Sequence, residues 1–142
     1  MFSRVETHGE VLYNLIKDKV GNNRKVFFIH GGIDGKDREA IREIVERENN
    51  AIIVASYNTM STGVSIKKLN NIIFGFPSKG KIRVLQTIGR GLRKAAGKDK
   101  AILYDIADDC GNNYTLNHFA ERIKLYNEEG FDYEIFNLDL EK

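Results

Sequence analysis

The chain has 142 residues, 42% hydrophobic and 30% charged with a single proline, which is the size of one domain with one core and excludes a disordered tail. Net charge is only +2 and the opening "MFSRVETHGE" has no apolar signal region, while no apolar run reaches the roughly 18 residues of a membrane span. Cys110 is the lone cysteine, so it forms no internal disulfide and fits a reducing cytoplasm; no cysteine or histidine pair has zinc-ligand spacing, and no metal is expected on this chain.

In chain order, "MFSRV" reads as a short strand cut by the start of the chain. Val11, Leu12, Leu15 and Ile16 are spaced for one helix face, closed by "VGNN". "KVFFIH" (25–30) is a strand, and Asp34 caps a helix with Ala40, Ile41, Ile44 and Val45 as its buried stripe. "AIIVA" (51–55), "NIIFGF" (71–76) and "AILYDI" (101–106) are continuous apolar runs, as expected of strands buried on both faces. A helix is predicted from Lys81 to Arg93, and another from Thr115 to Asn127 with Leu116, Phe119, Ile123 and Tyr126 inward. "FDYEIFNL" (131–138) alternates and predicts a final edge strand. The order gives an α/β fold, an open and mostly parallel sheet with helices on both faces. Ligands of such sheets sit beyond the carboxyl ends of the strands, which points to "GGIDGKD", "SYNTMSTG" and "PSKGK".

Charge is unevenly distributed. Between Lys79 and Lys100 there are eight cations and one anion, so that segment carries +7 and the remainder sums to −5. Local positive charge on a near-neutral chain points to a directed anionic partner. The segment contains no Walker A pattern, no dinucleotide fingerprint follows a strand, and "HGG" at 30–32 lacks the nucleophile elbow of a lipase.

Within it, "QTIGRGLRK" (86–94) has a particular geometry as a helix. Taking Gln86 as zero, Arg90 falls at about +40° and Arg93 at about −20°. Ile82, Leu85, Gly89 and Leu92 form an adjoining apolar face. A helix docked by that face aims two guanidiniums and an amide at one point, which suits a polyphosphate or the charge developing in phosphoryl transfer.

"QTIGRGLRK" resembles motif VI, Q-x-x-G-R-x-x-R, of superfamily 2 helicases. "MFSRVETHGEVLYNLI" is similar to motif IV, and "FFIHGGIDGKDR" to the following motif, with Arg38 seven residues after Gly31. "IIVASYNTMSTGVSIKKLNNIIF" is similar to motif V. Four motifs in order, over about residues 1 to 106, resemble phage recombination-repair helicases most closely. The resemblance implies a second RecA-like domain over 1–109, with 110–142 as a helix and strand extension packed on it. It implies ATP and Mg2+ held mainly by a separate N-terminal RecA-like domain, with DNA, branched or single-stranded, running across both. Arg90 and Arg93 would then be catalytic, one an arginine finger and the other a sensor, with Gln86, Gly89 and Gly63 binding or coupling ATP. Gly31, Gly32, Arg38, Ser61 and Thr62 would contact nucleic acid.

Two departures are visible. The family's threonine six residues before the motif V glycine is Tyr57, and the acid two residues after that glycine is Ser65. The contacts are either shifted to Ser56 or Thr59, or built differently. Neither a Walker A lysine nor a D-E-x-x box is present, so the chain alone is expected to be inactive as an ATPase. Tyr114, Phe119 and Tyr126 are expected to pack on the sheet in preference to stacking on bases, with His118 on the surface or hydrogen-bonded and not catalytic. The leading reading is the C-terminal motor domain of an ATP-dependent DNA helicase or translocase in recombination, repair or replication, cytoplasmic and monomeric in isolation. The alternative is a non-enzymatic basic nucleic-acid-binding α/β module; a third, a small-molecule phosphate-binding domain, is disfavoured by the missing glycine loop.

Overall fold

A computed structural model describes residues 2–56, 59, 66, 69–75, 101–109, 111 and 114–139, with side chains from Thr7 onward. Helix α1 spans Phe2–Val20, and a 3-10 turn at Gly21–Asn23 follows it. Strand β1 is Val26–Ile29, helix α2 Gly35–Arg47, and strand β2 Ile52–Ala55. Strands β3 and β4 are Asn71–Phe74 and Ile102–Asp105, and helix α3 is Tyr114–Glu128. β1 pairs with β2 and β3 with β4, both in parallel, as the continuous apolar runs predict.

Of the opening predicted as a strand, Phe2–Val5 are helical. No proline separates it from the amphipathic stretch that follows, so one helix runs through both. Gly9 inside that helix would ordinarily weaken it, but it lies where α1 meets β1. A Cβ there would stand 3.0 Å from the Phe28 ring, so glycine admits the close approach. Tyr13, one turn on, stacks on Phe28 with ring centroids 5.6 Å apart. Lys17 and Lys19 occupy the last turn, where cations suit the helix dipole, and Gly21 supplies the left-handed turn with φ +56.

α1 therefore docks through Gly9, Tyr13 and Ile16, while Val11, Leu12 and Leu15 of the predicted face are exposed. The predicted stripe of α2 is likewise only partly buried: Val45 is buried and Ile44 exposed. Asp34 does cap α2, its carboxylate accepting the Gly35 N–H at 2.6 Å.

β3 and β4 are covered on one face among the described residues, not on both. Phe74, Leu125 and Tyr126 form a core cluster with Ile72, Leu103, Ile123 and Phe131 packed around it. Ile73, Ile102, Tyr104 and Ile106 on the opposite face are exposed, because α3 sits on the other side. "FDYEIFNL" forms no strand; it runs irregularly with Ile135, Phe136 and Leu138 exposed, and no strand among the described residues pairs with it. The helix predicted at 81–93 lies outside the described residues. No helix among those described is long and apolar enough to cross a membrane.

α3 is pinned by polar contacts as well as apolar ones. Asp105, closing β4, accepts from Arg122 Nε at 2.6 Å and from the Tyr126 hydroxyl at 2.5 Å, all with buried side chains. Arg122 is also 5.6 Å from the Phe119 ring centroid. Tyr126 packs as expected, Phe119 is half-buried, and Tyr114 stays exposed. His118 is buried, not on the surface, with its ring 4.3 Å from that of Tyr114 and its Nδ1 without a hydrogen-bond partner among the described residues.

Removing one member of a buried ion pair leaves its partner desolvated, so Arg122→Ala is expected to cost about 3–5 kcal/mol in urea unfolding. Burial, and secondarily the Asp105 carboxylate, push the Tyr126 hydroxyl well above its ordinary value. An unfolded phenol ionises near 10 while the folded one resists, so this contribution is intact below about pH 10 and falls away above it. Unfolding titrations should show stability declining above that pH, with a shallower decline in Tyr126→Phe.

Candidate functional site

The register of β1 and β2 pairs Ile29 with Ala55, and one further bond carries the pairing past the strand ends: Ser56 N–H donates to the Ile29 carbonyl at 2.9 Å. The segments leaving the two strands, beginning at His30 and Ser56, are therefore neighbours. This is the edge at which ligands of parallel sheets are held.

The first segment is a tight turn. Ile33 N–H donates to the His30 carbonyl at 3.2 Å, and Gly32 N–H donates to His30 Nδ1 at 3.2 Å. The imidazole rests against Phe28, centroids 5.0 Å apart, which itself stacks on Tyr13 of α1. From the other side Arg38 Nε donates to the Ile33 carbonyl at 3.0 Å. That bond holds the guanidinium over the turn and leaves its terminal nitrogens without a partner among the described residues. Arg42, one turn on, is engaged by Glu39 and lies 3.7 Å from Glu46, so its charge is spent along α2.

The two glycines of the turn differ. A Cβ on Gly31 would meet nothing within 4 Å, whereas one on Gly32 would lie 3.1 Å from His30 Cε1. Gly32 makes room for the imidazole and gives it its amide. Gly31 is exposed, and no hydrogen bond from its N–H is found among the described residues. An exposed amide beside an unspent guanidinium is an arrangement that takes a phosphate oxygen.

In the second segment the Ser56 and Thr59 hydroxyls hydrogen-bond each other at 2.6 Å, and Thr59 N–H donates to the Ser56 carbonyl at 3.2 Å. Thr59 is 3% exposed, so it braces the chain from within; Ser56 is half-buried. Tyr57, Ser61, Thr62, Gly63 and Ser65 lie outside the described residues, as do Gln86, Gly89, Arg90 and Arg93. The structure thus brings together Gly31, Gly32 and Arg38 of the predicted site residues, with Ser56 and Thr59 at the same edge.

Sequence reading missed two features. His30 was visible as part of "HGG", yet nothing in its spacing signalled that the imidazole accepts from Gly32. Asp105 and Arg122 were hidden because an acid ending an apolar strand and an arginine in an amphipathic helix both read as surface. Among the described residues no group of histidine, cysteine or carboxylate side chains gathers to hold a metal.

The helicase conserved C-terminal domain family matches residues 2–95. The chain is 36% identical over 154 aligned residues to the ATP-dependent DNA helicase uvsW of Enterobacteria phage T4, covering 99% of this chain and 30% of that protein. It is 34% identical to a protein of Acanthamoeba polyphaga mimivirus assigned by name to the ATP-dependent RNA helicases, covering 90% of this chain and 25% of that one. The chain thus spans less than a third of the length of either relative. No solved structure matches it significantly.

The clearance around the glycines gives an expectation. Gly31→Ala should leave the His30 ring resonances in place, while Gly32→Ala should shift them by displacing the imidazole. Proton–nitrogen correlation spectra of the two variants check this; equal spectra would contradict the geometry.

Proposed function

The chain belongs to the helicase conserved C-terminal domain family, and on that premise we propose that it is the second RecA-like motor domain of an ATP-dependent DNA helicase or translocase. The observation that carries the reading is the turn at the end of β1, where Gly31 and Arg38 offer phosphate-binding groups beside the segment leaving β2. DNA as the track is supported by the phage relative, which is named a DNA helicase. Recombination, repair or replication is the proposed setting, in the cytoplasm of a host cell when phage-encoded.

In this reading Gly31, Gly32, Arg38, Ser61 and Thr62 form the grip on the nucleic acid backbone, Gly32 by giving the His30 imidazole its amide and its clearance rather than by touching the phosphate. Arg90 and Arg93 face an ATP bound mainly by an N-terminal RecA-like domain, with Gln86, Gly89 and Gly63 coupling that site to the grip. Mg2+ is assigned to the same partner domain, since this chain has no D-E-x-x box and its described residues gather no ligand set. Bound there, ATP supplies the phosphoryl group that leaves and the charge that must be stabilised. This chain's guanidiniums meet that charge as it spreads over the phosphate oxygens. We place the motor domain at 1–109 and the α3 extension at 110–142, and take the isolated chain to be monomeric and catalytically inactive.

Magnitudes single out the arginines. An arginine finger is worth ~10³ to 10⁵ in rate, or roughly 4–7 kcal/mol of barrier. An ordinary surface cation is worth roughly 0–1 kcal/mol. Arg90→Ala and Arg93→Ala in the complete helicase should each reduce DNA-stimulated ATP hydrolysis by about 10³ or more without changing the unfolding midpoint. Normal hydrolysis by both variants would refute the assignment and favour a basic binding module.

A further inference from the structure

We propose that His30 is a positioning residue for the nucleic-acid grip: its imidazole fixes the turn that presents Gly31 and Arg38 to a backbone phosphate. The proposal rests on the reading of this loop as a nucleic-acid contact and adds a residue to it. His30 has a partner on each side. Its Nδ1 accepts the Gly32 N–H at 3.2 Å, and its ring is backed by Phe28, itself stacked on Tyr13. Gly32 carries no side chain in a place where a Cβ would stand 3.1 and 3.2 Å from the imidazole. A Cβ at residue 32 would crowd the ring by a few tenths of an ångström, so glycine gives the imidazole its clearance.

The consequence is a division of labour. Gly32 N–H is spent on His30 and is not offered to a ligand. Gly31 lies in open space, with its amide unspent among the described residues. On the far side Arg38 Nε takes the Ile33 carbonyl, and Ile33 N–H takes the His30 carbonyl. The loop is thus held at both ends by side chains that do not themselves need to touch the ligand through those atoms. A flexible diglycine turn would have to be ordered at the moment of binding, and a turn already held by His30 avoids that entropy.

Two substitutions separate the imidazole's hydrogen bond from its bulk. His30→Phe keeps a ring against Phe28 but removes the acceptor. His30→Asn places an amide oxygen close to where Nδ1 stood and keeps the acceptor. Affinity of the 142-residue chain for a mixed-sequence single-stranded DNA oligonucleotide is measured by fluorescence anisotropy at several salt concentrations. His30→Phe should weaken binding roughly three- to tenfold, the reach of one hydrogen bond, and His30→Asn should stay within about twofold of the parent. The salt slope should be unchanged in both, since no phosphate contact is lost, whereas Arg38→Ala should reduce it by about 0.7. The Gly32 amide resonance should move in His30→Phe and return toward the parent position in His30→Asn.

If Arg38→Ala weakens binding and His30→Phe does not, the role given to His30 is wrong while the grip at this loop stands. If His30→Asn binds as poorly as His30→Phe, the imidazole acts by direct contact and the positioning role is overturned. If neither Arg38→Ala nor His30→Phe weakens binding, the nucleic acid does not lie at this loop, and the proposal falls with that reading.

Discussion

One hydrogen bond beyond the register of β1 and β2, from Ser56 N–H to the Ile29 carbonyl, holds the candidate site together. A parallel pair delivers both chains to the same edge, and this bond keeps them paired for one more residue as they leave it. On one side lies the His30–Ile33 turn, on the other the Ser56–Thr59 brace. Had the strands been antiparallel, these segments would sit at opposite ends and would share no common edge. The energetic weight behind this arrangement is apolar: Ile29 is fully buried at the end of β1, and Val54 is buried in β2.

The site is built on contrast between residues of the same type. Gly31 is open while Gly32 is filled by an imidazole. Arg38 is held over the loop with its terminal nitrogens uncommitted among the described residues, while Arg42 is neutralised along the same helix. Arg122 is buried against Asp105 and Tyr126, where it ties α3 to β4. Three arginines on two helices thus do three jobs, and only burial and partners distinguish them. The Arg122 network also shows why α3 belongs with the strands it covers. Its buried face mixes Leu125 and Tyr126 with Arg122, whose buried charge is paired by Asp105 of β4 and which a solvent-exposed helix has no reason to bury.

The strands were legible because continuous runs such as "KVFFIH" and "AILYDI" have few other ways to fold. Asp34 was legible as a cap because its chemistry is local. The misses share one cause, which is that a helix or strand face is defined by what covers it. "MFSRV" has strand-like content, yet from Phe2 it belongs to α1 without a break. Val11, Leu12 and Leu15 have helical spacing, yet α1 turns Gly9 and Tyr13 to the sheet, since Phe28 demands a close approach at Gly9. "FDYEIFNL" alternates like an edge strand, yet alternation without a strand to pair with yields no ladder. Of the candidate site, Gly31, Gly32 and Arg38 were singled out by the motif resemblance, whereas His30 was not, because its bond to Gly32 depends on the turn's shape. The motif resemblance over about residues 1 to 106 supplied what periodicity alone left open among several anionic ligands, and the family match over residues 2–95 agrees with it.

The central claim is that this chain supplies one half of an ATP site whose other half lies on a separate domain. Hydrolysis by the purified chain, by a separately produced N-terminal RecA-like half, and by their mixture tests it most directly, each with and without single-stranded DNA. The account predicts turnover stimulated by DNA in the mixture and none from the 142-residue chain by itself. Sustained ATP hydrolysis by the chain alone would contradict it.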